Sequence, residues 1–133
     1  MFELTIKDKI YTFRFGIGFV RDIDKTKKEK AENGKEVDVG LSYAVASLID
    51  EDPVALVDIL FLANKTEDKK ARITKEQLED YIDYEVEDLE GLFKKVLDFF
   101  EKSNATKKKT AAVLKLVEEE RAKAAAAEAN QTE

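Results

Sequence analysis

The chain has no cysteine, no histidine and no tryptophan, and a single proline. Without cysteine there is no disulfide and no thiol chemistry. With histidine gone too, zinc centres and most nucleophile–base pairs lose their usual donors. No apolar run approaches the roughly 18 residues of a membrane span. The opening MFELTIKDK carries charges where a secretion signal would be apolar. The chain therefore reads as cytoplasmic, or as made in the cytoplasm. A net charge of −6 argues against a dedicated nucleic-acid binder and against adhesion to an anionic membrane.

Charge and apolar side chains are abundant instead. The charged fraction is 39% and the apolar fraction 44%, the former well above the usual level of about 25%. At 133 residues one domain is expected, burying about two-thirds of its unfolded surface.

Residues 2–6, FELTI, alternate, with Phe2, Leu4 and Ile6 on one face. In residues 10–15, IYTFRF, Tyr11, Phe13 and Phe15 share a face opposite to Ile10, Thr12 and Arg14. Joined by Lys7-Asp8-Lys9, they predict a β-hairpin within residues 2–15, although the favoured Asn-Gly or Asp-Gly turn is missing. Phe19, Val20 and Ile23 fit a short helix to about Lys28. KTKKEKAENGKE, with Asn33-Gly34, reads as a helix end and exposed loop.

From about Val39 the period is helical: Leu41, Ala44, Val45, Leu48 and Ile49 form one stripe. Asp52 suits an N-cap and Pro53 the first helical position. VALVDILFLA, residues 54–63, is apolar nearly all round, which predicts a central, buried helix. A charged loop spans residues 64–72. Ile73-Thr74-Lys75-Glu76-Gln77-Leu78 has the form of a capping box with a hydrophobic staple, opening a helix that uses Leu78, Tyr81 and Ile82. Asp88 can cap the next, with Leu89, Leu92, Phe93, Val96, Leu97 and Phe100 as its stripe; Ser103-Asn104 breaks it. The last segment, from Thr106, places Val113, Leu114 and Val117 on one patch. It then enters EEERAKAAAAEANQTE, where alanine favours helix but buries little. The expectation is an α+β domain over residues 1–117: an N-terminal β-hairpin packed on a mainly helical body of about five helices. Residues 118–133 form a charged, Ala-rich tail, partly helical or disordered.

Few residues suggest chemistry. Gly16-Ile17-Gly18 follows an apolar run, but a dinucleotide fingerprint would place a small residue where Arg21 stands, and no Gly-Lys-Ser/Thr follows. The glycines read better as a sharp turn and close packing where strand meets helix. Asp80, Asp83 and Glu87 would share a face on a continuous helix and could hold a metal weakly. A solvated charged face is the plainer reading, and no calcium-loop spacing is present. Lys25, Lys27, Lys28, Lys30 and Lys107–Lys109 could meet phosphates, but no aromatics are interleaved with them. Ser42, Ser47 and Ser103 have no base pattern, and nothing singles out a lysine. No catalytic, metal or cofactor residue is assigned. Phe99 and Phe100 are adjacent on a helix: either one faces an interface or both are partly buried under the C-terminal helix.

FELTIKDKIYTFRFGIGFVRDIDK, with its hairpin, its Phe-Gly-Ile-Gly-Phe junction and the helix after it, resembles the tail assembly chaperones of long-tailed bacteriophages of Gram-positive bacteria. The likeness continues through LSYAVASLIDEDPVALVDILFLA and YIDYEVEDLEGLFKKVLDFF and covers about residues 1–116. It implies a non-enzymatic protein without cofactor in the host cytoplasm. Such a protein binds the tape measure protein, keeps it soluble and helps present it to the tail tube protein, and is absent from the finished virion. It also implies that this chain is the short form where a frameshift yields a longer one. A holdase of this kind needs exposed apolar anchors on a charged surface. Candidate anchors are Phe99, Phe100, Val113, Leu114 and Val117, and Val113→Asp with Val117→Asp is expected to weaken cargo binding with the fold intact. Self-association through the hairpin edge, Phe2, Leu4 and Ile6, is a further expectation. Two other classes stay open. One is a small regulatory module binding DNA or a DNA-bound partner, which a basic helical face would favour; the other is a carboxylate enzyme, which needs acids converging in a pocket.

Overall fold

Two β-hairpins and six α-helices make up residues 1–65 and 68–131, the part described by the computed structural model. β1 (Phe2–Ile6) and β2 (Lys9–Phe13) pair antiparallel, with Phe2 opposite Phe13, Leu4 opposite Tyr11 and Ile6 opposite Lys9. The alternation expected from sequence is realised: Phe2, Ile6, Tyr11 and Phe13 are buried, while Glu3, Thr5, Ile10 and Thr12 are exposed. The turn is two residues, Lys7 and Asp8, with φ of 50° and 65°. Both adopt the left-handed backbone that a tight hairpin needs and that glycine or asparagine would adopt with less strain. β2 stops at Phe13 rather than Phe15, because the Arg14 amide donates to the Ala63 carbonyl at 2.8 Å.

α1 (Ile17–Asp24) follows at once, a strand handing over to a helix. The glycines there meet the expectation of turn and close packing only in part. Gly16 is the N-cap at φ −107°, and a Cβ at Gly18 would only touch the Lys65 side chain at ordinary contact distance. Neither has a positive φ, and only Gly16 is in a tight place, where a Cβ would lie 3.2 Å from the Arg14 Nε. The indispensable glycine is Gly40, where a Cβ would sit 1.7 Å from the Ile23 carbonyl oxygen. The start of α2 (Gly40–Ile49) is thereby pressed onto the end of α1, and the Asp24 carboxylate accepts from the Leu41 amide at 3.0 Å.

The loop expected around Asn33-Gly34 is a second hairpin instead, β3 (Lys28–Lys30) with β4 (Glu36–Asp38). All six strand residues are exposed, so no apolar alternation advertised them. Pairing sets Lys28 opposite Asp38 and Lys30 opposite Glu36, and Lys28 and Asp38 form an ion pair at 3.4 Å. Gly34, at φ 81°, supplies the turn.

α2 packs against α1, α3, α5 and α6 and is the hub of the helical body. α3 (Pro53–Ala63) begins as expected, with the Asp52 carboxylate accepting from the Val54 and Ala55 amides. Its all-round apolar character does not make it central. Val54 is 72% and Phe61 38% exposed, on the face where the Lys75 ammonium lies over the Phe61 ring and pairs with Asp58. A helix's depth depends on what covers each face, which its own residues do not specify.

At the end of α3, buried Asn64 ties three segments together. Its side-chain amide donates to the carbonyls of Thr12 (2.9 Å) and Ala71 (3.3 Å), and its oxygen accepts from the Ile73 amide (2.7 Å). The 64–72 segment contains a 3₁₀ turn at Lys69–Ala71; the part of the expected loop at residues 66 and 67 lies outside the described residues. The capping box at Thr74 and Gln77 forms in both directions, and Ile73 and Leu78 are buried beside it.

α4 (Lys75–Asp80) widens into a π-helical turn, Tyr81–Glu85, closed by the Val86 amide on the Tyr81 carbonyl. The helix ends at Glu85, so Glu87 lies beyond it and the three acids Asp80, Asp83 and Glu87 do not share a helical face. Among the described residues no acidic cluster is placed to hold a metal. α5 (Leu89–Lys102), capped by Asp88, buries Leu92, Phe93, Val96 and Phe100. α6 (Lys107–Gln131) buries Thr110 and Val113 against α2 and α5, and Thr106 is buried just before it. The Thr106 hydroxyl donates to the Phe100 carbonyl and the Thr110 hydroxyl to the Thr106 carbonyl, so both polar groups are satisfied. From Glu118 to Ala129 every residue is exposed. The tail expected at 118–133 is thus helix through Gln131, and its last two positions lie outside the described residues.

Candidate partner-binding surface

The first hairpin, α1 and α5 meet through phenylalanines. Phe15 stacks on Phe19 and Phe100 with centroids 5.3 and 5.0 Å apart, and Phe2 meets Phe13 at 5.9 Å and Phe99 at 5.2 Å. Edge and tilted contacts of this kind add to the burial of the rings themselves. The cluster explains how adjacent Phe99 and Phe100 both pack: Phe100 is fully enclosed against α1, and half-buried Phe99 turns toward the hairpin.

Phe99 also forms one wall of a cleft of about 520 Å³, with Phe2, Phe13, Phe15 and Ile17. Met1 and Ile17 are 75% and 72% exposed at its margin. Arg14, Ser103 and Asn104 are among its polar lining. Phe2, Phe13, Phe15 and Phe99 also belong to the aromatic cluster, so the cleft is lined by packed rings. The margin is open to solvent and sets apolar Met1 and Ile17 beside polar Arg14 and Asn104, so an apolar side chain could enter and leave reversibly.

Of the other predicted anchors, Phe100 is enclosed in the core on α5, and Val113, Leu114 and Val117 lie on α6 and not in this cleft. Val113 is 8% exposed, and Leu114 and Val117 are half-buried. Val113 belongs to the helix-packing core, so an aspartate there would strand a charge between α2, α5 and α6. The expectation that Val113→Asp leaves the fold intact is corrected on that ground. Sequence reading passed over Leu116, which is 59% exposed, and the exposed Met1 and Ile17. No periodicity marks Ile17, since it is the first helical residue after Gly16.

Phe2 and Ile6 are buried and Leu4 half-buried, their side chains directed into the core. The sheet has only β1 and β2, so among the described residues the outer backbone edge of β1 has no strand partner. Of the basic residues expected near phosphates, Lys28 is paired with Asp38 and Lys27 lies over the Tyr43 ring at 4.7 Å. Glu29 accepts the Tyr43 hydroxyl and raises its pKa. Lys65 donates to Asp22 at 2.7 Å, holding that carboxyl below the ordinary carboxylate value. Among the described residues no helix is long and apolar enough to cross a membrane.

Comparison with protein families assigns most of this chain. The family described as phage tail assembly chaperone protein, TAC, matches residues 3–115. The chain belongs to that family. No curated protein and no solved structure matches it.

Proposed function

We propose that this tail assembly chaperone binds the phage tape measure protein, keeps it soluble, and helps recruit tail tube protein during tail morphogenesis. The action is non-enzymatic, by reversible apolar contact in the host cytoplasm, and the protein does not remain in the virion. Family membership supports the reading, and the observation that carries it further is the open apolar cleft at Phe99 with exposed Ile17 on its rim. A long amphipathic helix presents apolar side chains in rows, and such rows are captured by apolar grooves. Leu114, Val117 and exposed Leu116 on α6 extend the candidate surface, with Phe100 and Val113 supporting it from below. Self-association through the β1 edge at Phe2, Leu4 and Ile6 would use backbone hydrogen bonds, because two of those side chains are already buried.

The test is co-expression with the tape measure protein of the source phage, followed by solubility and co-purification. Soluble tape measure protein travelling with this chain is the expected result. Insoluble, unbound tape measure protein beside a folded chain overturns the reading.

A further inference from the structure

The first sheet has two edges, and the fold ties down only one of them. In an antiparallel pair, opposed residues alternate between exchanging both backbone hydrogen bonds and turning those groups outward. Ile6 and Lys9 close the two-residue turn, so Ile6, Leu4 and Phe2 bond across to β2, while Glu3 and Thr5 turn their amides and carbonyls away from it. On β2 the outward Thr12 carbonyl accepts from the Asn64 side chain, and the Arg14 amide just beyond the strand donates to Ala63. On β1 the outward groups of Glu3 and Thr5 have no backbone partner among the described residues, and both residues are exposed.

That open edge is one wall of a cleft of about 390 Å³, formed by Phe2–Thr5 on one side and by the π-helical turn and the start of α5 on the other. Glu3, Glu85, Glu87 and Asp88 line it against a single cation among the described lining residues, Lys95. Asp88 is engaged with the Gly91 amide, but Glu3, Glu85 and Glu87 make no ion pair among the described residues. Burial, and then the Glu85 carboxylate, raises the pKa of Tyr81 in the same wall. Half-buried Leu4 and Val86 give the cleft apolar surface between the acids. Acids alone would be a solvated face: a second cleft, of about 270 Å³, has Asp58, Glu79 and Asp83 in its lining but no strand residue. The unpaired backbone of β1 sets the first cleft apart.

We propose that the β1 edge docks an extended basic segment of another protein, which adds to the sheet as a further strand and sets lysine or arginine side chains against Glu3, Glu85 and Glu87. The backbone of β1 supplies hydrogen bonds to any strand, and the acids choose which strand. A second copy's β1 would bring its own Glu3 toward the same acids, so the charges rank a basic segment above a second copy at this edge. The docking site shares only Phe2 with the cleft at Phe99 and is independent of what that cleft binds.

The full chain is titrated with a short fluorescent peptide alternating lysine and valine, and with its counterpart alternating glutamate and valine. The lysine peptide is expected to bind at least about tenfold more tightly, to lose affinity with added salt, and to slow amide exchange at Glu3 and Thr5. Thr5→Pro removes an outward donor at an edge position where proline is tolerated, and should weaken binding about tenfold or more. Glu3→Lys with Glu85→Lys and Glu87→Lys, all at exposed positions, should reverse the preference between the peptides even where the proline variant fails to fold. Glu79→Lys with Asp83→Lys, in the second acidic cleft, changes net charge without touching the edge and should bind as wild type. Failure of the wild type to bind the lysine peptide overturns the proposal, as does binding without slowed exchange at Glu3 and Thr5. Equal loss in the Glu79/Asp83 variant assigns the effect to bulk charge and overturns it too. A dimer through β1 that the lysine peptide does not displace assigns the edge to a second copy, with the same consequence. The chaperone reading stands or falls separately, on co-purification with the tape measure protein.

Discussion

β1–β2 and β3–β4 are both two-stranded antiparallel hairpins, yet the first buries Phe2, Ile6, Tyr11 and Phe13 and the second buries nothing. The first has a poor turn, Lys7-Asp8, held at positive φ. Core burial offsets that strain. The second has Asn33-Gly34 and opposite charges facing across its strands. Local chemistry shapes it without help from a core. A hairpin can thus be specified from its face or from its turn, and only the first kind is bound into the stability of the whole molecule.

The difference is testable most sharply at matched positions. Phe13 is 1% exposed and Val37 45%. Phe13→Ala should cost about 3–5 kcal/mol in urea denaturation, within the usual range for a buried phenylalanine. Val37→Ala on the second hairpin should change stability by less than about 0.5 kcal/mol. Equal effects would break the distinction.

Asn64 is what makes the first hairpin part of the helical body. Asn64→Ala removes the bonds to Thr12 and Ala71 and leaves the Ile73 amide unsatisfied. A loss of about 1–3 kcal/mol is expected, with faster amide exchange at Ile73. No change would mean that the aromatic cluster alone anchors the hairpin. In the opposite direction, Lys7→Asn with Asp8→Gly should stabilise by about 1 kcal/mol, by relieving two left-handed residues. The same idea predicts that Gly34→Ala disturbs amide exchange in β3 and β4 while leaving the global unfolding midpoint nearly unmoved.

The smallest effect is electrostatic. The Lys65 ammonium donates to Asp22 and pulls its pKa down. Because the folded pKa lies below the unfolded one, the contribution is complete above the ordinary carboxylate range and fades as pH falls through the lowered value. NMR titration should find the Asp22 midpoint below that of a free aspartate, returning upward in Lys65→Met. The pair joins α1 to the end of α3 at the surface, so its effect on overall stability should be slight.

Legibility from sequence followed range. The capping box at Thr74–Gln77, the caps at Asp52 and Asp88 and the α5 stripe were readable, because each depends on residues within one turn or one helix face. The second hairpin was hidden, since charged strands without a buried face have no apolar period; Asn33-Gly34 between alternating charges was the available signal. Asn64 and Gly40 gave no local sign of their importance. One depends on partners 52, 7 and 9 residues away, and the other on a carbonyl of the preceding helix. At the candidate surface, Phe99 was identified, whereas Ile17, Arg14 and the wall at Ser103–Ala105 were not, because they converge only when the hairpin and α5 pack.

The sequence by itself determined the kind of protein: its likeness to the phage tail assembly chaperone family gave the family, and its patterns gave an α+β chain with an alternating hairpin, capped helices, and neither cysteine nor histidine for thiol or zinc chemistry. The hairpin, the caps and the excluded chemistries follow from periodicity, capping and composition, which act over a few residues. Tertiary structure alone decided that α2 rather than α3 is the hub, that Val113 is core while Leu116 is surface, and that Ile17, Phe99 and Ser103–Ala105 line one cleft. Burial and charge proximity are properties of what packs against a residue, and that partner is set by the whole fold.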